Sequence, residues 1–329
     1  MADPLRSALF TDLYELTMAQ AYATEAMEAP AVFELFFREM PARRNYFIAA
    51  GLDDVLTCLE QLRFTEDDLE YLCRDQHLSA AFLDRLRGLR FTGDVYAMPE
   101  GTPAFPDEPL VQVVAPMIEA QIVETLVLNQ VHFQTVAATK AARVVHAAAG
   151  RAVVDFGSRR AHGTDAALKV ARTSYLAGAA GTSLVLAGKL YGIPVFGTLA
   201  HSYVQAHDDE WAAFEVFARQ YPNSTLLVDT YETLQGVRKV IELSRRLGIA
   251  SACMPCVSIR ATLARSRSRR GKCSTRQGCR RFRSSCPARW TNIESRSCSP
   301  AALRLTASAS ARGWRWRTTC RISIWRTSS

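Results

Sequence analysis

Three things are scarce in this sequence, and each scarcity excludes something. No apolar run approaches the ~18 residues that would cross a bilayer as a helix, so the pattern predicts no membrane span. The opening stretch MADPLRSALF has no apolar core of the kind a secretory leader carries, and the chain is expected in the cytoplasm. Neither G-x-G-x-x-G nor G-x-x-x-x-G-K-[ST] occurs, which removes the Rossmann fingerprint and the P-loop as nucleotide sites.

Acidic residues are also nearly missing, but only from one part of the chain. Residues 251–329 hold 18 Lys and Arg against a single acid, Glu294, so residues 1–250 carry 40 − 18 = 22 bases and 32 − 1 = 31 acids. All six histidines precede residue 251, and seven of the nine cysteines follow it, leaving Cys58 and Cys73 in the first part. A basic arm for nucleic acid would have this charge. Cys253 and Cys256 form one C-x2-C, but a single pair with no second pair and no nearby histidine is a weak metal or redox signal. A third reading fits better: an excess of Arg, Ser, Cys and Trp with almost no acid is what a GC-rich gene yields out of frame.

Codon degeneracy tests that reading. In the frame whose codons take the last base of one triplet and two of the next, residues 252–263 (ACMPCVSIRATL) can conceal RLHAVRLDSGDL. Residues 290–296 (WTNIESR) can conceal VDEYRV, and the closing WRWRTTCRISIWRTSS can conceal LAVADDVPYLDMAYKL. Each match is permissive alone; three in order are not. The frame is therefore expected to shift near residue 250, with 251–329 a disordered tail.

What is present in residues 1–250 is a change of rhythm. Amphipathic helices are predicted over 13–22, 51–62 and 65–89, a strand over 31–37, short strands within 94–114, and a long helix over 116–149. Strand and helix then alternate: a strand at 152–156, helix 163–181, short strands at 182–187 and 193–199, helix 208–221, strand 224–229 and helix 232–248. That order predicts a parallel sheet or barrel with outer helices. Chemistry in such folds gathers where strands deliver their C-terminal ends. Those ends carry Asp155 to Arg160, Thr182 with Ser183, His201, and Asp229 to Tyr231. Two adjacent arginines, several hydroxyls, an aromatic and a histidine make a rim suited to a small, multiply anionic substrate, since guanidinium matches phosphate and carboxylate in bidentate geometry.

The stretches LFTDLYELTMAQAY (9–22), FELFFREMP (33–41), DFGSRRAHG (155–163), AGTSLVLAGKLYGIPVFGTLAHS (180–202) and LVDTYET (227–233) resemble the nicotinate phosphoribosyltransferases in order across residues 8–249. The resemblance implies a type II phosphoribosyltransferase-like α/β fold: an α/β sandwich domain over 1–140 and an irregular (β/α) barrel beginning at 141–250, incomplete here. It implies that nicotinate reacts with phosphoribosyl pyrophosphate to give nicotinate mononucleotide and pyrophosphate, a step toward NAD, with ATP as co-substrate and Mg²⁺ as cofactor. Metal ligands are not identified. Tyr14 and Phe156 match the aromatics that sandwich the pyridine ring, with Tyr14 supplied by the second subunit of a homodimer. Asp12 belongs with Tyr14, Arg38 matches a phosphoribosyl pyrophosphate contact, Arg159 a substrate contact with Arg160 beside it, and Thr182 and Ser183 the GTS segment. Relatives that use nicotinamide carry an aspartate where Ser183 stands; a hydroxyl donates to a carboxylate that an aspartate would repel. Ser183 therefore favours nicotinate, with nicotinamide phosphoribosyltransfer the alternative. His201 matches the histidine phosphorylated from ATP, a role open to neutral imidazole, and Asp229 is an orienting group at the next strand end. Nucleic acid and membrane are not expected partners; a basic-tailed nucleic-acid binder is the remote alternative. The chain as written, lacking the later barrel strands, is expected to be poorly folded and inactive.

Overall fold

The computed structural model describes residues 7–42 and 44–247, together with the backbone of 256–257 and 321–323. The described residues fall into two compact units that meet in sequence between Lys140 and Ala141. The basic tail expected to be frameshifted and disordered lies outside the described residues apart from those two backbone segments.

In the first unit, α1 (Leu13–Thr24) starts after Asp12 and buries Glu15, Leu16 and Ala19. Strand β1 (Pro30–Leu35) buries Ala31, Phe33 and Leu35, the alternation that puts every second side chain on one face. A two-residue strand β2 (Phe47–Ile48) leads to α2 (Leu52–Glu60), whose first turn is capped from a distance: Gly51 and Leu52 donate their N–H groups to Glu100 Oε1 at 2.6 and 3.1 Å. Gly51 has φ +103°, and a Cβ there would lie 2.5 Å from the Gln130 carbonyl oxygen, so the position requires glycine on both counts.

The single helix predicted over 65–89 is two, α3 (Glu66–Gln76) and α4 (Ala80–Gly88). Thr65 and Asp68 form a reciprocal capping box at the first, and His77 ends it in the left-handed region at φ +57°. Ser79 then accepts from Phe82 N and starts the second.

Strands β3 (Asp94–Ala97), β4 (Pro103–Ala104) and β5 (Val111–Pro116) follow. β1 pairs antiparallel with β5 in the register Phe33↔Val113, β5 pairs with β3, and β2 pairs with β4. The far edge of β1 pairs antiparallel with backbone 321–323, the last strand among the described residues. Helix α5 (Met117–Ile122) packs on β1, β5 and α1, and α6 (Glu124–Ala147) follows after a break at Val123. Two α6 threonines one turn apart hold the end of β2: Thr139 accepts from Ile48 N at 2.9 Å and Thr135 from Ala50 N at 3.2 Å. Phe33, Phe47, Leu72, Leu86, Val113 and Ile118 lie in one continuous core.

The second unit alternates short parallel strands with helices. β6 (Val154–Asp155) pairs in parallel with β7 (Gly181–Thr182), around α7 (Thr164–Leu176). Parallel bridges carry the order on from Thr182 to Val195 and from Thr198 to Thr225, beside β8 (Leu226–Leu227), which pairs with β9 (Cys256–Val257). The stretch read as a strand over 182–187 leaves strand geometry after Thr182; Val185–Tyr191 is helix α8, closed by Gly192 in the left-handed region. Gly188 lets that helix seat on the next segment, where a Cβ would fall 2.2 Å from Val195 Cγ2. Helices α9 (His201–Gln205), α10 (Glu210–Gln220) and α11 (Thr233–Arg246) complete the described part. Their core joins Leu199, Val204, Phe214, Leu226, Val228 and Leu243, and buried Glu210 receives Lys239 Nζ at 3.1 Å across α10 and α11. No closed barrel forms among the described residues.

Candidate active site

Because β6, β7, the 195–198 segment and β8 are parallel, their C-terminal ends share one edge. Asp155 ends β6 and is 1% exposed, pointing its carboxylate inward. Its Oδ1 accepts from Gly157 N at 2.8 Å and its Oδ2 from Thr182 Oγ1 at 3.0 Å, while its carbonyl accepts from Ser183 N at 2.7 Å. Burial pushes the carboxyl above the usual carboxylate range, and the Gly157 and Thr182 donors pull partly back. Half-buried Phe156 follows, then a single 3-10 turn, Ser158–Arg160, that leaves Arg159 and Arg160 exposed. Thr182 is wholly buried and its Oγ1 accepts from Leu184 N at 3.1 Å, which leaves Ser183 half-exposed at the edge. Thus Phe156, Arg159, Arg160, Thr182 and Ser183 are brought together on two joined turns.

His201 opens α9, and its Nδ1 lies 3.3 Å from Thr230 Oγ1. Thr230 follows Asp229, which is 0% exposed just beyond β8. The structure therefore pairs the end of the 193–199 segment with the β8 end, as the alternating pattern predicts.

Asp12, Tyr14 and Arg38 belong to the first unit. Asp12 is the exposed N-cap residue of α1, and Arg38 is exposed in the bend after β1. Tyr14 is 46% exposed, and its hydroxyl donates to Glu15 Oε1 at 3.3 Å. Partial burial, then the Glu124 and Glu15 carboxylates, push its phenol well above the ordinary tyrosine range, so it stays protonated. Glu15 itself is 0% exposed; its Oε1 also accepts from Thr125 N at 3.0 Å and Thr125 Oγ1 at 2.7 Å, and its Oε2 from the Thr11 hydroxyl.

Two supporting residues escape a reading by strand ends: Glu15 looks like one more acid in α1, and Thr125 carries no pattern at all. Thr230 lies within the strand-end stretch Asp229 to Tyr231, but its partner His201 is not legible there. Asp155 had a signal, Asp-x-Gly, the spacing of a side chain accepting from the backbone two residues on. Among the described residues no group of three or more His, Cys, Asp and Glu is placed to hold a metal ion, so these residues do not by themselves build a magnesium cage.

The first unit matches the nicotinate phosphoribosyltransferase (NAPRTase) N-terminal domain over residues 9–132. The chain is 67% identical over 241 residues to the nicotinate phosphoribosyltransferase pncB2 of Mycobacterium tuberculosis, covering 73% of this chain and 52% of that protein. It is 44% identical over 243 residues to the nicotinate phosphoribosyltransferase of Bacillus subtilis, covering 73% of this chain and 50% of that one. The chain thus spans about half the length of the curated relatives it matches. The crystal structure of human nicotinic acid phosphoribosyltransferase superposes with TM-score 0.76 at 27% identity, over 95% of this chain and 74% of the human one. The fold is that of a type II phosphoribosyltransferase, with no closed barrel among the described residues. Among the described residues no helix is long and apolar enough to cross a membrane.

Proposed function

We propose that this chain carries the first part of a nicotinate phosphoribosyltransferase. The pyridine nitrogen of nicotinate attacks the anomeric carbon of phosphoribosyl pyrophosphate; the new N–C bond forms as the C–O bond breaks, and pyrophosphate leaves with the electron pair. The observation that carries the reading is 67% identity over 241 residues to a protein of that name. The joined turns at the ends of β6 and β7 support it.

Each residue then has a task. Tyr14, from the second subunit of a homodimer, and Phe156 sandwich the pyridine ring, offset stacking being worth on the order of 1 kcal/mol for each face. Asp12 orients the Tyr14 end. Ser183 and Arg159 meet the nicotinate carboxylate, with Arg160 and Thr182 beside them, and Arg38 meets the phosphates. ATP phosphorylates His201, and hydrolysis of that phosphohistidine drives the equilibrium toward mononucleotide. The Thr230 contact at Nδ1 leaves Nε2 to take the phosphoryl group, and Asp229 orients the histidine or the ribose. Mg²⁺ held by the substrates' phosphates, as where a protein supplies few ligands of its own, would neutralise charge on the leaving pyrophosphate. The setting is cytoplasmic NAD biosynthesis.

The reading frame shifts near residue 250, so the translated chain lacks the rest of the barrel and is inactive. The experiment compares the 329-residue protein with the product of a gene restored to the concealed frame, assaying nicotinate mononucleotide from nicotinate, phosphoribosyl pyrophosphate and MgATP. The restored protein is expected to turn over and the 329-residue chain is not. A fully active 329-residue chain refutes the frameshift, a restored protein that prefers nicotinamide refutes the choice of acid, and a restored protein inert with both refutes the activity.

A further inference from the structure

We infer that Asp155 is a positioning residue for the pyridine site: it fastens the Phe156–Arg160 turn to Thr182 and Ser183, so that the ring-stacking and carboxylate-binding groups are held as one unit. The inference rests on the proposed reading that these turns receive nicotinate.

Donor counting fixes the direction of each bond. Leu184 N–H can only donate, so Thr182 Oγ1 accepts it at 3.1 Å and sends its single proton to Asp155 Oδ2 at 3.0 Å. Gly157 N–H can only donate as well, and it takes Oδ1 at 2.8 Å. Position 155 must therefore accept at both side-chain oxygens, which a carboxylate does and an amide does not. If an asparagine turned its NH₂ to Thr182, the hydroxyl proton would lose its partner. If it turned its NH₂ to Gly157, two donors would face each other. The carbonyl of the same residue takes Ser183 N at 2.7 Å, so the residue proposed to read the nicotinate carboxylate also hangs from Asp155.

The ladder alone does not do this work. β6 and β7 share only two residue pairs, Val154↔Gly181 and Asp155↔Thr182, and the ladder stops where the turns begin. A buried carboxylate in so short a pairing is unfavourable unless its oxygens are used, and here every one is.

The test uses the full 329-residue protein and reads amide hydrogen exchange in peptides covering 156–161 and 182–186. Thr182→Val is expected to speed exchange at 156–161, on the neighbouring turn, by about tenfold, the loss of one hydrogen bond to a charged group. Thr182→Ser, which keeps the hydroxyl, is expected to restore it, and Asp155→Asn to loosen at least one of the two turns. Thr173→Val, at a buried threonine of α7 whose hydroxyl donates to the Lys169 and Val170 carbonyls of its own helix, is expected to leave both peptides unchanged. Nicotinate and nicotinamide titrations of the same variants in the frame-restored protein give a second readout: Thr182→Val is expected to weaken nicotinate by about tenfold and to narrow its advantage over the amide, with Thr182→Ser recovering both. Unchanged exchange at 156–161 in Thr182→Val, or no recovery in Thr182→Ser, overturns the inference; if Thr182→Val does not fold, Asp155→Asn exchanging like wild type in both peptides overturns it instead. Coupled exchange without nicotinate binding in the frame-restored wild type shows that Asp155 joins the turns while the proposed ligand is wrong.

Discussion

Replacing Glu15 separates what its hydrogen bonds supply from what its shape supplies. The side chain is wholly buried, and Oε1 receives Thr125 N–H and Thr125 Oγ1 at 3.0 and 2.7 Å, with the Tyr14 hydroxyl at 3.3 Å. Thr125 N lies in the first turn of α6, where no carbonyl of the helix can reach it. Glu15→Ala leaves that N–H and the hydroxyl without partners, and hydrogen bonds to a charged group are worth ~1.5–3 kcal/mol each. The expected loss is about 3–5 kcal/mol. Glu15→Gln keeps an acceptor for Thr125 and turns its NH₂ to the Thr11 hydroxyl, which can accept, so its expected loss is about 1 kcal/mol. Urea unfolding followed by far-UV circular dichroism reads the difference. With a slope of about 1–3 kcal/mol per molar urea, Glu15→Ala should lower the first unit's midpoint by more than about 1 M and Glu15→Gln by roughly a third of the Glu15→Ala shift or less. Equal losses for Ala and Gln would refute the reasoning, because they would place the stabilisation in the charge rather than in the acceptor geometry.

Three further outcomes follow from particular residues. Gly51→Ala should cost more than about 2 kcal/mol in the same urea assay, since the new Cβ meets the Gln130 carbonyl at 2.5 Å in a backbone that disfavours side chains; Glu100→Ala, which uncaps α2, should cost at least about 1 kcal/mol. Burial lowers the His132 imidazole below its ordinary value, so the unfolded chain takes the proton first and stability falls as pH drops through about 6.5. His132→Gln should therefore lose less stability than wild type between pH 7.5 and 5.5; Glu124 and Asp155, raised by burial, shift both proteins alike in the opposite sense. In a frame-restored protein, His201→Asn should abolish acid-labile labelling from γ-labelled ATP while leaving the unfolding midpoint within about 0.5 kcal/mol of wild type.

The strand alternation of Ala31, Phe33 and Leu35 and of Val111, Val113 and Ala115 is legible because one face meets water and the other the core. The barrel strands are harder to read. AVVDF reads as five strand residues, yet only Val154 and Asp155 pair, because each strand there needs to reach only its neighbour's edge. Over 65–89 the apolar spacing stays helical through both helices, and only the Ser79 cap and the left-handed His77 reveal the break. The candidate site divides the same way. Phe156, Ser183 and His201 are visible as chemistry at strand ends, whereas Thr125 and the pairing of Thr230 with His201 become visible only when the fold brings distant segments together.

Glu15, Glu100 and Asp155 share one device: a buried or half-buried carboxylate that accepts backbone N–H groups from a segment that secondary structure leaves unsatisfied. Two of the three stand beside residues assigned to the pyridine ring, Tyr14 and Phe156. Apolar packing fixes position only to the extent that neighbouring side chains fill space, and cores tolerate volume-conserving exchange. A carboxylate with both oxygens occupied fixes direction as well, because each donor must point at it. Exchanges such as Leu227→Ile in the core of the second unit, where no polar partner is involved, should therefore cost less than about 1.5 kcal/mol and leave exchange at 156–161 untouched. Asp155→Asn, equally conservative in volume, should loosen at least one of the two turns it joins with a comparable or smaller change in midpoint. If the core exchange loosens the turn as much as the asparagine does, packing rather than the carboxylate sets the geometry of the site.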